Sequence, residues 1–217
     1  MAYLYGGQEF YGRMFEVTPA VLIPRPETEI IVEAALQLFP DVEAALEIAD
    51  IGTGSGCLAI TLAKERPAAQ VLATDIATAG FQVAQQNAGR HGVEGRIVFV
   101  YGDLLPERLG PTIERFDLIV SNPPYVPEGD RAGLQPEVRD YEPAEALFAG
   151  PDGLDVIRRL IPAAAPRLTP GGYLIFEIGA GQDASVAQLI SVTQGLKMVG
   201  LRNDLQGIPR TVVAQRT

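Results

Sequence analysis

Apolar residues along this chain fall into short continuous runs separated by stretches with helical spacing. Residues 45–50 form one such run, followed by G-T-G-S-G and then L-A-I-T-L-A-K-E, whose apolar positions recur with the helical period. Q-V-L-A-T-D (70–75) predicts a second strand and 77–90 a helix. R-I-V-F-V-Y-G-D (96–103) and F-D-L-I-V-S-N (116–122) predict two more strands. G-L-D-V-I-R-R-L-I-P starts a further helix, whose later turns Pro162 and Pro166 interrupt. G-G-Y-L-I-F-E-I-G (171–179) predicts a fifth strand, 182–192 a helix, and the tail an antiparallel pair closing one edge. Strands alternating with helices predict an α/β fold around a mainly parallel sheet.

Two segments stand outside this alternation. Residues 1–25 read as a short hairpin or extended arm, after which P-R-P-E-T-E starts a helix, with proline and acids in its first turn. Residues 126–152 are rich in Pro, Gly and Glu and longer than a routine connection, which marks a functional or disordered loop.

Composition narrows the partners. At 217 residues, one domain over 26–217 behind the 1–25 arm is the expected organisation. No apolar stretch reaches the roughly 20 residues of a membrane span, and the first residues lack a secretory signal. A single cysteine, Cys57, excludes an intramolecular disulfide framework and fits a reducing cytoplasm; with one histidine besides, no metal site is expected. The formal charge of −10 and the scattered arginines argue against DNA binding through phosphates.

Candidate chemistry sits at the predicted strand ends. Gly52, Thr53, Gly54, Ser55 and Gly56 link a strand to a helix, where glycines permit a tight turn and close approach of a ligand. The dinucleotide fingerprint is incomplete, because Cys57 stands at its last position, and a plain tight turn would also fit. Asp75 ends the next strand, placed to accept ribose hydroxyls. Asp103 ends the third, within reach of an adenine edge, with Leu104 as an apolar cover. Strand-end aspartates also cap helices, but here they follow one another along successive strands. A nucleoside without a phosphate requirement results, and S-adenosylmethionine fits it.

Ser121 is followed by Asn122-Pro123-Pro124-Tyr125, a stiff non-helical turn at a strand's C-terminal end. Methyl transfer to a planar NH2 group is hard because the lone pair is delocalised. The Asn122 side-chain oxygen and the Pro123 carbonyl can hold such a group and aim its lone pair, with Tyr125 packed on its face. A purely structural Pro-Pro turn is the alternative. Cys57 is expected buried and inert, His91 a partner of a helix C-terminus, and Arg158 and Arg159 solvent-facing.

With these residues in view, the chain resembles class I methyltransferases carrying an N-P-P-Y motif, and among them the HemK-type release-factor glutamine N5-methyltransferases. I-P-R-P-E-T-E (23–29), D-I-G-T-G-S-G (50–56), S-N-P-P-Y (121–125), E-P-A-E-A-L (142–147), D-G-L-D (152–155) and D-L-Q-G-I-P-R (204–210) carry the resemblance almost end to end. N-P-P-Y is shared with adenine-N6 DNA methyltransferases; I-P-R-P-E-T-E and E-P-A-E-A-L are more specific. The resemblance implies a Rossmann-like, seven-stranded, mostly parallel sheet with helices on both faces. It also implies cofactor contacts at 52–56, Asp75, Leu104 and Asn122, with Asn122, Pro123, Pro124 and Tyr125 holding a glutamine in the Gly-Gly-Gln loop of a peptide chain release factor. The helical domain that precedes this region in bacterial members is expected to be absent. Gly6-Gly7-Gln8 matches the methylated tripeptide and is read as coincidence. Three alternatives remain: a ribosomal-protein glutamine methyltransferase, an adenine-N6 nucleic-acid methyltransferase, and a non-catalytic S-adenosylmethionine-binding module.

Overall fold

The computed structural model describes residues 2–106 and 115–217. A short helix, α1 (Ala2–Tyr5), leads into an antiparallel hairpin of β1 (Gly7–Phe10) and β2 (Arg13–Glu16). Tyr11 and Gly12 turn this hairpin at positive φ, 50° and 69°. The hairpin does not stand apart: Phe10 and Phe15 are buried in the same cluster as the first helices of the sheet domain.

Pro26–Thr28 forms a 3-10 turn that runs straight into α2 (Glu29–Leu38). Then come β3 (Glu47–Ile51), α3 (Cys57–Glu65), β4 (Gln70–Asp75), α4 (Thr78–His91), β5 (Ile97–Tyr101) and β6 (Phe116–Ser121). The 126–152 stretch is neither bare loop nor disordered. It holds short 3-10 turns and α5 (Pro136–Tyr141), and Val126 bridges to Phe148. Helix α6 (Asp155–Ala164) continues through Pro162, which sits on the exposed side, so the carbonyl deprived of its partner belongs to the exposed Arg158. β7 (Leu168–Glu177), α7 (Asp183–Val192), β8 (Leu196–Asn203) and β9 (Pro209–Arg216) complete the chain.

Seven strands make one sheet in the order β5-β4-β3-β6-β7-β9-β8, parallel from β5 to β7 and antiparallel at β9 and β8. The expected antiparallel tail is present, with the last strand inside and β8 at the edge. Burial explains that order: Thr211–Ala214 of β9 are all buried, whereas β8 has mostly exposed or half-buried residues. Alternation along the strands feeds two cores. Ile48, Val71, Val120 and Ile175 face α2, α3 and α4; Ala49, Leu72, Ile119 and Phe176 face α6 and α7. Helices therefore cover both faces. Chain order reverses between β3 and β6, and at the C-terminal ends of such strands an open α/β sheet leaves a crevice.

Candidate active site

A cleft opens at this reversal, walled by the ends of β3, β4 and β6 and by the residues after β5. Its floor is the glycine loop. Gly52, Gly54 and Gly56 have φ of 73°, 54° and 83°, conformations that side-chain-bearing residues rarely adopt. The N–H groups of Gly52 and Thr53 both donate to the Thr74 carbonyl at 2.9 Å, tying the loop to β4. Underneath lies Asp50, fully buried, whose Oδ2 accepts from the Thr53 hydroxyl at 2.7 Å and from the Ala59 N–H at 3.1 Å. Burial pushes its carboxyl up to about 7, against the pull of those two bonds. A Cβ on Gly56 would come within 2.8 Å of the Ile60 side chain and 3.3 Å of Ala84 on α4, so Gly56 lets α3 start close against α4; it does not line the cleft.

Asp75 ends β4 with both carboxylate oxygens engaged. Oδ2 accepts the Gly54 N–H and Oδ1 the Ala77 N–H, each at 2.8 Å. The same carboxylate thus fixes the glycine loop and the start of the next connection while lining the cleft. Asp103 and Leu104 line it as well, and Leu104 takes a φ of 58° that turns the chain sharply after β5. Asp103 is held differently: Arg159 grips it through two bonds of 2.8 Å, with side chains 56% and 54% exposed. Arg159 is solvent-facing, as expected, yet also forms part of the rim; Arg158 pairs with Asp152 and Asp155 outside it. Cys57 is half-buried in the wall, and burial pushes its thiol up to about 12. His91 ends α4, with its ring nitrogen bonded to the Met14 carbonyl at 2.9 Å.

Asn122, Pro123 and Pro124 line the cleft at the end of β6, beside the glycine loop that follows its neighbour β3. The Asn122 Nδ2 donates to the Thr28 hydroxyl oxygen at 3.0 Å, while its Oδ1 is buried without a partner. Among the described residues, it is the one buried, unpartnered side-chain atom whose residue lines the cleft. Tyr125 is set back from the wall. Its hydroxyl donates to Glu177 Oε1 at 2.8 Å, and the Thr28 hydroxyl donates to Glu177 Oε2 at 2.6 Å. Glu177 is 1% exposed at the end of β7; burial raises its pKa, and the two hydroxyl donors act the other way. Burial, and then the nearby Glu177 charge, raises that of Tyr125. Gln182 completes the frame, its Oε1 accepting from Gly179 N–H and its Nε2 donating to the Tyr125 carbonyl at 2.8 and 3.0 Å.

Two further sequence blocks, 23–29 and 142–147, clasp each other across the cleft mouth. Arg25 pairs with Glu142, whose side chain is 1% exposed against 31% for the arginine. The Ile23 N–H lies 3.4 Å from the other Glu142 oxygen. Val21, Leu22 and Pro24 on one side and Pro143, Glu145 and Ala146 on the other line the same cleft.

Comparison with known proteins fits this geometry. The profile "Methyltransferase small domain" matches residues 29–135. The release factor glutamine methyltransferase of Geobacter sulfurreducens is 49% identical over 98% of this chain and 72% of its own length. That of Koribacter versatilis is 47% identical over 99% and 74%. The chain belongs to the release factor glutamine methyltransferase family. A solved release-factor-specific protein-(glutamine-N5) methyltransferase from Alicyclobacillus acidocaldarius is 28% identical over 93% of this chain and 99% of its own, with a TM-score of 0.54. A ribosomal protein L11 methylase from Lactobacillus delbrueckii, 23% identical over 97% and 90%, shares the fold at a TM-score of 0.65. The class I, Rossmann-like methyltransferase fold follows.

Of the residues singled out in the sequence, the release factor glutamine methyltransferase fold gathers Gly52, Thr53, Gly54, Ser55, Asp75, Asp103, Leu104, Asn122, Pro123 and Pro124 around one cleft. Gly56 and Tyr125 stand behind it. Sequence reasoning assigned no role to Thr28, Glu177, Gln182 or Glu142. Thr28 and Glu142 lie in blocks quoted for their resemblance, which was the available signal.

Proposed function

We propose that this chain transfers a methyl group from S-adenosylmethionine to the side-chain amide nitrogen of the glutamine in the Gly-Gly-Gln loop of a peptide chain release factor, in the cytoplasm where translation ends. The observation that carries this reading is the buried, unpartnered Asn122 Oδ1 on the cleft wall. A buried acceptor without a partner costs free energy, about 1–3 kcal/mol, which an incoming N–H donor relieves.

The residues present fit the methyl donor. The left-handed glycines bring bare backbone to the cleft floor, and Asp75 and Asp103 offer carboxylates beside it, with Leu104 as apolar cover. S-adenosylmethionine bound there would supply an electrophilic methyl group on its sulfonium and leave as S-adenosylhomocysteine, the methylated nitrogen releasing one proton to water. Asn122 Oδ1 and the Pro123 carbonyl accept the two N–H bonds of the substrate amide, drawing its nitrogen away from planarity and aiming the lone pair. Pro123 and Pro124 keep that acceptor pair rigid, and Tyr125, set back from the wall, braces the turn through its bond to Glu177.

Mass spectrometry after incubation with S-adenosylmethionine and a release-factor domain tests the reading, with duplex DNA and ribosomal protein L11 in parallel. One methyl on the Gly-Gly-Gln glutamine, and none on DNA or L11, is expected. Label on adenine or on L11, with the release factor unmodified, would overturn it.

A further inference from the structure

The Asn122–Thr28–Glu177–Tyr125 chain has a direction. Both Glu177 oxygens accept, one from the Thr28 hydroxyl at 2.6 Å and the other from the Tyr125 hydroxyl at 2.8 Å. The Thr28 hydroxyl has one proton, and it points to Glu177. Towards Asn122 it presents lone pairs alone, so only the NH2 end of the carboxamide can sit there, at 3.0 Å. The carbonyl end is thereby left as the free acceptor. All this happens out of water: Thr28 and Glu177 are each 1% exposed.

We propose that Thr28 and Glu177 are positioning residues that fix both ends of the Asn122–Tyr125 turn and forbid the flipped carboxamide that would present NH2 to the substrate amide. Glu177 holds Tyr125 directly and Asn122 through Thr28, so one buried carboxylate sets the polarity of the acceptor. A flipped Asn122 would set donor against donor, and orientation for transfer would be lost. This assignment rests on the proposed glutamine methylation for its catalytic consequence, though the orientation itself can be read without it.

The test uses the whole chain with Thr28→Val, Thr28→Ser and Glu177→Met. Thr28→Val keeps the shape and removes the acceptor for Asn122. Glu177→Met removes both acceptor oxygens, which leaves the Thr28 proton free to turn towards Asn122. The side-chain amide signal of Asn122 reports orientation by NMR. In the unaltered protein and Thr28→Ser its protons exchange slowly with solvent; in Thr28→Val they exchange at least about tenfold faster. In single-turnover methylation of the release-factor domain, Thr28→Val and Glu177→Met fall roughly ten- to a hundredfold. Calorimetric affinity for S-adenosylmethionine stays within a few-fold, and Thr28→Ser recovers most of the rate. Unchanged Asn122 exchange in Thr28→Val overturns the inference, as does a rate loss matched by lost cofactor affinity, or Thr28→Ser as slow as Thr28→Val. If the unaltered protein leaves the glutamine unmethylated while the exchange contrast holds, the functional reading fails and the orientation stands. Should Thr28→Val not fold, Glu177→Met decides alone, and a wild-type rate there overturns it.

Discussion

Asp75 Oδ2 accepts the Gly54 N–H at 2.8 Å, so the acid at the end of β4 is built into the glycine loop it faces. Its other oxygen takes the Ala77 N–H at the same distance. One carboxylate thus shapes the cleft floor and offers its remaining lone pairs to a ligand.

Asp75→Ala is therefore expected to weaken S-adenosylmethionine binding by about 1.5–3 kcal/mol, the scale for a lost charged acceptor. Asp103→Ala should cost less, because that acid is exposed and shares its charge with Arg159. Calorimetry on both variants checks the order; equal losses would show that the Arg159 pair is released when ligand binds.

Gly153→Ala is expected to destabilise the protein and slow methylation together. Gly153 has φ of 74°, and a Cβ there would lie 2.1 Å from the Tyr125 carbonyl oxygen and 2.8 Å from Gln182 Nε2. The conformation alone costs about 1–2 kcal/mol, and the clash pushes on the turn that carries Asn122. Urea unfolding and turnover, measured on the same preparation, show whether the two losses coincide.

The Arg25–Glu142 clasp predicts an asymmetry. Arg25→Met leaves a carboxylate that is 1% exposed without its cation, for a cost of roughly 3 kcal/mol. Glu142→Gln leaves a guanidinium that water reaches, and it should cost less. The ranking is read from denaturation midpoints; the reverse order would place the burden on the arginine.

Asp50 ties stability to pH. Its folded carboxyl sits at about 7, against an ordinary value of 3.8. The folded state then holds the proton more tightly than the unfolded state between these values. The stability this confers is fully present below about 4 and is lost as pH rises through about 7. Asp50→Asn removes the dependence, so its melting temperature should gain on the unaltered protein from pH 5 to pH 8. A constant difference across that range would show that Asp50 is already ionised when folded.

Much of this architecture is legible locally. The apolar runs that became β3 to β7 follow from periodicity, and the glycine loop and the Asn122 turn declare themselves because their chemistry lies in consecutive residues. What escaped reading is long-range. Thr28 meets Glu177 across 149 positions and Asn122 across 94, and no local pattern shows that a hydroxyl already donates its hydrogen bond to a distant carboxylate. Helix α6 passing through Pro162 was hidden for a related reason: tertiary packing of Ile157, Leu160, Ile161 and Ala164 outweighs the local penalty. The 126–152 segment lacks a period, yet the Glu142 clasp and the Val126–Phe148 bridge order it.

The central claim is that Asn122 presents an acceptor to the substrate amide while the glycine loop and Asp75 hold the cofactor. Single-turnover methylation of the release-factor domain by Asn122→Ala, with S-adenosylmethionine affinity measured alongside, tests it most directly. The expected rate is lower by roughly 10²–10³ with cofactor affinity within a few-fold of the unaltered protein. A near-normal rate under saturating cofactor and substrate would contradict the account, leaving Asn122 as a shaping residue of the Pro123-Pro124 turn.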